Sequence, residues 1–261
     1  MGVMEGKRGL IMGVANNHSI AWGIAEALAR QGAEMAFTYQ GEAFERRVRP
    51  LAESVGSRIV MDADVQDAGS LDAVFAALAD AWGSIDFLVH AIAYSDKAEL
   101  TGRYADTSRA NFLKTLDISC YSFIDVTRRA AALMPDGGSV VTMTYLGAQR
   151  VMPNYNVMGV AKAALEASVR YLANDLGPRG VRVNAISPGP MRTLAGSAIG
   201  GARKVYKECE DNAPMRRNAA LAHVGGAAVY LLSDLGASTT GDIIFVDGGY
   251  HAIGMAQAGN L

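Results

Sequence analysis

Cysteine is nearly absent from this chain: Cys120 and Cys209 are the only two in 261 residues. They stand far apart and outside any CxxC or CxxH spacing, which excludes a disulfide framework and suggests no zinc site. An excess of charge of one sign is missing too. With 24 Lys and Arg against 26 Asp and Glu, and a formal net charge of -2, the chain has no broad basic surface to neutralise phosphates. Nucleic-acid binding and docking on anionic membranes therefore lack an electrostatic drive. No apolar run approaches the roughly 20 residues that span a bilayer. The first residues show no apolar core followed by a small-residue cleavage site, and Gly6 stands where a myristoylation signal wants Ser or Thr. A soluble protein of the reducing cytoplasm is expected. Pro/Ser-rich linkers, low-complexity tracts and internal repeats are also lacking, so the expectation is one domain over residues 1–261.

What is present is half apolar, with 29 Gly and 19% charged residues, far from the composition of a disordered chain. Short apolar runs at 9–14, 34–39, 58–61, 85–91, 139–144, 181–186 and 243–246 alternate with segments of helical period at 20–30, 42–54, 70–81, 108–134 and 155–176. That alternation predicts an α/β fold: a doubly wound, Rossmann-like domain with a seven-stranded parallel sheet and helices on both faces. Right-handed crossovers then put the first strand-to-helix turn beside the reversal in strand order, where open sheets of this kind bind ligands. The segment around 190–212 breaks the rhythm. After Pro188-Gly189-Pro190 it reads as a long connection with its own helix, a substrate-binding lid or, more plainly, a surface excursion.

Three places carry chemistry. Gly13 to Gly23 joins the first strand to a helix beginning near Ser19, a position where small residues and a helix N-terminus can cradle a pyrophosphate. It lacks the GxGxxG spacing, and a plain helix cap is the alternative role of Ser19. At the end of the second strand stands Gln40, neither the acid that grips a ribose 2′-hydroxyl nor the base that accepts a 2′-phosphate, which leans toward NADH. Arg46 and Arg47 a turn later read as a solvated face, and Asp64-Val65 after the third strand could border an adenine. Third, Tyr155 and Lys162 are separated by nearly two helical turns and so share a helix face about 10 Å apart. A cation so placed favours phenolate character in the Tyr and can bond ribose hydroxyls. His18 and His90 have no second His or carboxylate at metal-ligand spacing, so no metal site is expected.

From Gly6 to Gly249 the chain resembles the short-chain dehydrogenase/reductase superfamily, and within it the bacterial NADH-dependent enoyl-acyl carrier protein reductases. Asn184-Ala185-Ile186-Ser187-Pro188-Gly189 and Val246-Asp247-Gly248-Gly249 look like superfamily landmarks. The narrower likeness rests on residues Gly13 to Gly23, on Ser119-Cys120-Tyr121-Ser122-Phe123, and on Tyr145-Leu146-Gly147-Ala148 followed by Pro153-Asn154-Tyr155-Asn156. Ordinary members carry Tyr four residues before the Lys, where this chain has Met158, and a Ser thirteen residues before that Tyr, where it has Tyr145.

The resemblance implies a reductase that adds hydride from NADH to the double bond of a trans-2-enoyl thioester on acyl carrier protein, in fatty-acid elongation. It also implies roles. Tyr155 would be the acid or oxyanion donor, Lys162 would grip the nicotinamide ribose, and Tyr145 would line the acyl pocket and assist. Gly13, Ser19, Ile20, Gln40, Asp64, Val65 and Ile92 would border the dinucleotide. Met191, Arg192, Thr193, Leu194 and Ala195 would approach its nicotinamide half, and Ser95 would sit near the acyl group. Ile92-Ala93 replaces the family's usual Ile-Gly. The C-terminal segment 250–261 resembles a subunit-contact tail, implying a homotetramer. Two other readings stay open: a reductase of ketones or ketoacyl thioesters, against which Met158 argues, and a nucleotide-binding regulator without turnover.

Overall fold

Apolar residues recur on both sides of the strands because helices cover both faces of the sheet they build. The computed structural model describes residues 2–194 and 200–260 of the chain. The strands are β1 (Arg8–Met12), β2 (Glu34–Tyr39), β3 (Val60–Asp62), β4 (Phe87–His90), β5 (Gly138–Met143), β6 (Val181–Pro188) and β7 (Ile243–Val246). All pair in parallel, in the order β3-β2-β1-β4-β5-β6-β7. Along β1, Leu10 joins the apolar core on one face while its neighbour Ile11 joins the core on the other, both fully buried. Burying such a side chain stabilises the fold by about 1.5–3 kcal/mol.

On the face that Leu10 serves lie α3 (Ala68–Trp82), α5 (Ser122–Ala132) and α6 (Asn156–Leu176). The opposite face holds α1 (Ile20–Arg30), α2 (Glu42–Ser54) and, in order along the chain after α7 (Ala202–Asn212), α8 (Leu221–Leu232). The sequence pattern foretells α1 and α2 to the residue but not α8. Its Gly225-Gly226 pair is weak in helical propensity, and tertiary packing decides it. A Cβ on Gly225 would lie 2.6 Å from the Ala27 side chain, and one on Gly23 2.6 Å from Leu221. Gly23 is therefore bare so that α1 and α8 can approach closely.

Three boundaries differ from expectation. The first strand stops at Met12 because Gly13 turns to φ +103°. The expected helix over 108–134 divides into α4 (Arg109–Leu116), a π-helical turn (Asp117–Tyr121) and α5. The helix expected from 155 begins at Asn156, with Tyr155 just outside it. The excursion at 190–212 does carry its own helix, α7; residues 195–199 of it lie outside the described residues. Among the described residues, no helix is long and apolar enough to cross a membrane.

Candidate active site

The strand order reverses between β1 and β4, so their following loops part and leave a crevice at the C-terminal edge of the sheet. Gly13 lines it. A Cβ there would stand 2.1 Å from the Ala91 carbonyl oxygen, so both φ and space demand glycine. Ser19 occupies the N-cap position of α1, but its hydroxyl makes no cap hydrogen bond. It turns back instead and accepts from the N–H groups of Ala15 (3.0 Å) and Asn16 (3.1 Å), shaping the turn. The helix N-terminus is thus left uncapped by a side chain beside a glycine-lined crevice, which fits an anionic pyrophosphate.

Gln40 is exposed at the end of β2. The neighbouring Gly41 N–H donates to the Asp62 carboxylate at 2.8 Å, a residue the sequence reading passed over. Arg46 is paired with Glu42. A 2′-phosphate would meet a carboxylate and an already paired guanidinium here, whereas a hydroxyl suits both Gln40 and Asp62. Asp64 and Val65 are half-buried; the Asp64 carboxylate accepts from Gln66 N–H (2.9 Å), and Val65 packs on the core with Ile92. Ile20 and Met191 pack on the opposite core, and Arg192 lies over the Tyr206 ring at 4.7 Å. His18, Met191, Arg192 and Tyr206 line a cavity of about 200 Å³ with Ala219 and Leu221. The Thr193 N–H donates to the Met191 carbonyl at 2.9 Å, Leu194 is half exposed, and Ala195 lies outside the described residues.

The loop after β4 is held by a ladder of buried polar side chains on α4, the π turn and α5. Asn111 accepts from Asp96 N–H (2.9 Å), Thr115 donates to the Ser95 hydroxyl (2.9 Å), and Ser119 bonds both the N–H and the carbonyl of Tyr94 (3.0 Å each). Ser122 reaches His90 Nε2 at 2.9 Å. Four-residue steps drift by about 40° each on a regular helix, and the wider π turn takes up part of that drift. Ser95 is thereby engaged by Thr115 and by Asn111 (3.2 Å).

His90 is wholly buried and carries no charge: burial first, then the Lys162 ammonium, lowers it to about 3. Its ring lies between two hydroxyls, Ser122 at Nε2 (2.9 Å) and Thr142 at Nδ1 (3.3 Å), which also reach the carbonyls of Ile118 (2.6 Å) and of His90 itself (3.0 Å). The linkage has a definite sign. Between pH 6.5 and about 3 the unfolded His90 binds a proton that the folded one refuses, so stability falls with falling pH, by about 2 kcal/mol at pH 5. His90→Gln should flatten the decline in melting temperature between pH 7.5 and 5; parallel declines would exclude His90 as its source.

Tyr145 follows β5 and Tyr155 precedes α6; their rings meet edge to face at 5.1 Å, the Tyr155 side chain packed with Leu100, Met158 and Ala161. Gly147 makes room, since a Cβ there would fall 2.4 Å from the Tyr155 ring. Lys162 is 6% exposed and donates to the Met143 carbonyl at 2.8 Å. Burial lowers its ammonium to about 8, against the pull of Cys120 and Glu166. The Glu166 carboxylate is itself held by Thr144 (2.8 Å) and Gln149 (3.0 Å). Among the described residues no hydrogen bond joins Tyr155 to Lys162. Burial, with Tyr145 alongside, pushes the Tyr155 phenol well above its ordinary range. The expected phenolate character is therefore corrected: packed in this way Tyr155 keeps its proton and is available as a hydrogen-bond donor.

A parallel sheet wound on both sides, a glycine-lined crevice at its switch point, and a Tyr and a Lys at the head of the next crossover define a dinucleotide-binding short-chain reductase. The profile described as enoyl-(acyl carrier protein) reductase matches residues 13–251. The chain is 62% identical over 254 residues to an NADH enoyl-[acyl-carrier-protein] reductase of Rhizobium meliloti, covering 97% of this chain and 93% of that one. Among solved structures, the reductase of Anaplasma phagocytophilum in complex with NAD is 57% identical with TM-score 0.96, over 98% of both chains. The Bacillus cereus enoyl-acyl carrier protein reductase with NADP+ and an indole naphthyridinone is 47% identical with TM-score 0.96, over 98% of this chain and all of that one. The chain belongs to the enoyl-(acyl carrier protein) reductase family.

Proposed function

We propose that the chain is an NADH-dependent enoyl-acyl carrier protein reductase, an oxidoreductase of fatty-acid biosynthesis that saturates the trans-2 double bond of enoyl thioesters. Family membership supports the reaction, and one feature of the site carries it: a buried, protonated Tyr155 set against Tyr145. Met158, where ordinary superfamily members place their proton donor, is buried and has no proton to transfer, which counts against ketone or ketoacyl reduction.

NADH, when bound, supplies the hydride for the β-carbon of the thioester. Gly13, Ser19 and Ile20 form the pyrophosphate cradle, and Gln40, Asp64, Val65 and Ile92 border the adenosine half. Lys162 would hold the nicotinamide ribose, with Met191 to Leu194 near the same half. The Tyr155 hydroxyl donates to the thioester oxygen as negative charge builds on it, a bond that is stronger in the transition state than before it. Tyr145 and Ser95 contribute to the acyl wall, with α7 beside it. The neutral Gln40 and the Asp62 carboxylate favour NADH over NADPH.

The test is NADH oxidation by the purified protein with crotonyl thioester, with NADPH in a parallel cuvette. Turnover well above the thioester-free blank, faster with NADH, is expected; none above it would sink the assignment. The protein is proposed to work in the cytoplasm as a homotetramer. All four residues of β7, at the sheet edge, are only partly buried, and Met255 is 74% exposed, so this end of the chain needs cover. A monomer mass by light scattering would remove that proposal.

A further inference from the structure

Two asparagines flank Tyr155, and both sit in left-handed backbone: Asn154 at φ +58° and Asn156 at φ +34°. Outside glycine this region is uncommon and strained, although asparagine tolerates it better than most residues. In each case the side chain leaves the turn and ties to a different segment. Asn154 Nδ2 donates to the Gly200 carbonyl at 2.6 Å, and a Cβ on Gly200 or on Gly201, the N-cap of α7, would lie within 3.5 Å of that amide. Asn156 Nδ2 donates to the carbonyls of Glu99 and Gly102, both at 3.3 Å. Those two carbonyls bracket Leu100, which shares a packed cluster with Tyr155.

We propose that Asn154 and Asn156 are positioning residues for Tyr155: they yoke the phenol to α7 on one side and to the 97–102 segment on the other. The inference rests on the proposed reaction and adds to it. α7 is anchored at both ends, since Asn154 holds the residue before Gly201 while Asn212 accepts from Gln257 N–H (2.8 Å) at its far end. Between these ends Cys209 is buried beside Tyr145 and Tyr250, its thiol bonded to Tyr250. Tyr155 thus cannot move without the α7 wall or the Leu100 wall. The strain at two left-handed sites, separated by the proton donor alone, persists because both amides are bonded outward. A donor that must meet an oxygen only as its charge develops depends on such fixed placement, and a misplacement of about 1 Å costs up to about 100-fold in rate.

Substitutions separate the tie from the turn. Asn154→Gly keeps the left-handed backbone and deletes the amide. Asn154→Asp also tolerates that backbone but sets a carboxylate against a carbonyl oxygen. Both should lose kcat with crotonyl thioester by at least about tenfold, with the KM for NADH unchanged. The solvent deuterium isotope effect on kcat should rise above that of the native enzyme, because proton donation becomes slower. Asn154→Gly with native kcat and isotope effect would overturn the proposal. A loss of kcat matched by an equal loss of NADH-binding sites would overturn it as well, since that is the mark of general destabilisation. If Asn154→Gly does not fold, Asn156→Gly unties residues 99 and 102 and is read by the same criteria. Absence of turnover in the native protein would strike the reaction assignment instead, so the two failures are distinguishable.

Discussion

Tyr155→Phe should lower kcat with crotonyl thioester by about 100- to 1,000-fold while leaving the fold and NADH binding intact. Removing one preorganised donor to a developing oxyanion costs about 2.7–4 kcal/mol in such sites. The ring stays, so its packing with Leu100, Met158, Ala161 and Tyr145 survives. The loss belongs to the hydroxyl, which burial holds protonated far beyond the working pH range. For that reason the native enzyme should show no alkaline loss of kcat traceable to Tyr155. Stopped-flow or steady-state rates with thermal melts on both proteins decide it; a variant within threefold of native would move the donor role elsewhere, with Tyr145 the next candidate.

Lys162→Met should abolish function with little loss of stability. A cationic hydrogen bond is worth about 1.5–3 kcal/mol, so two bonds to ribose hydroxyls imply about 3–6 kcal/mol. The expected fall in kcat/KM is about 1,000-fold, carried largely by weaker NADH binding. Stability behaves differently because burial has already lowered the ammonium to about 8. Between that value and 10.5 the unfolded Lys holds a proton that the folded one has released, so native stability rises with pH across this window. Below pH 8 the native protein bears the full penalty of a buried cation. Methionine has nearly the same length and no charge; it loses the bond to the Met143 carbonyl and the attraction to Glu166, whose carboxylate keeps its bonds from Thr144 and Gln149. Its melting temperature should therefore match or exceed the native one at pH 7, the advantage shrinking toward pH 10. NADH fluorescence titration tests the binding arm, and undiminished affinity would remove Lys162 from the cofactor site.

The two substitutions strike different steps. Tyr155 acts on the substrate oxygen, so its loss falls on kcat. Lys162 acts on cofactor placement, so its loss appears first in the KM for NADH. A common pattern for both would mean that the site is a single mechanical unit, which the shared wall of β5, its following loop and α6 makes physically reasonable.

The sequence by itself determined the seven parallel strands, the position of α1 and α2 and the class of fold. These depend on local periodicity and on residues close along the chain: a run such as Leu10-Ile11-Met12 is apolar because both sheet faces are covered, whatever its neighbours are. Only the tertiary structure decided what lies between distant segments. The Asn111, Thr115, Ser119 and Ser122 ladder, with its π turn, has a partner list spread over residues 90 to 96 that no spacing along the helix reveals. Asn154 and Asn156 are only part of the stretch that carries the family likeness until Gly200, Glu99 and Gly102 are brought to them. The protonation of Tyr155 went the same way. A cation seven residues along the chain suggested phenolate, but charge state follows desolvation, and desolvation is a property of everything packed around a group rather than of its sequence neighbours.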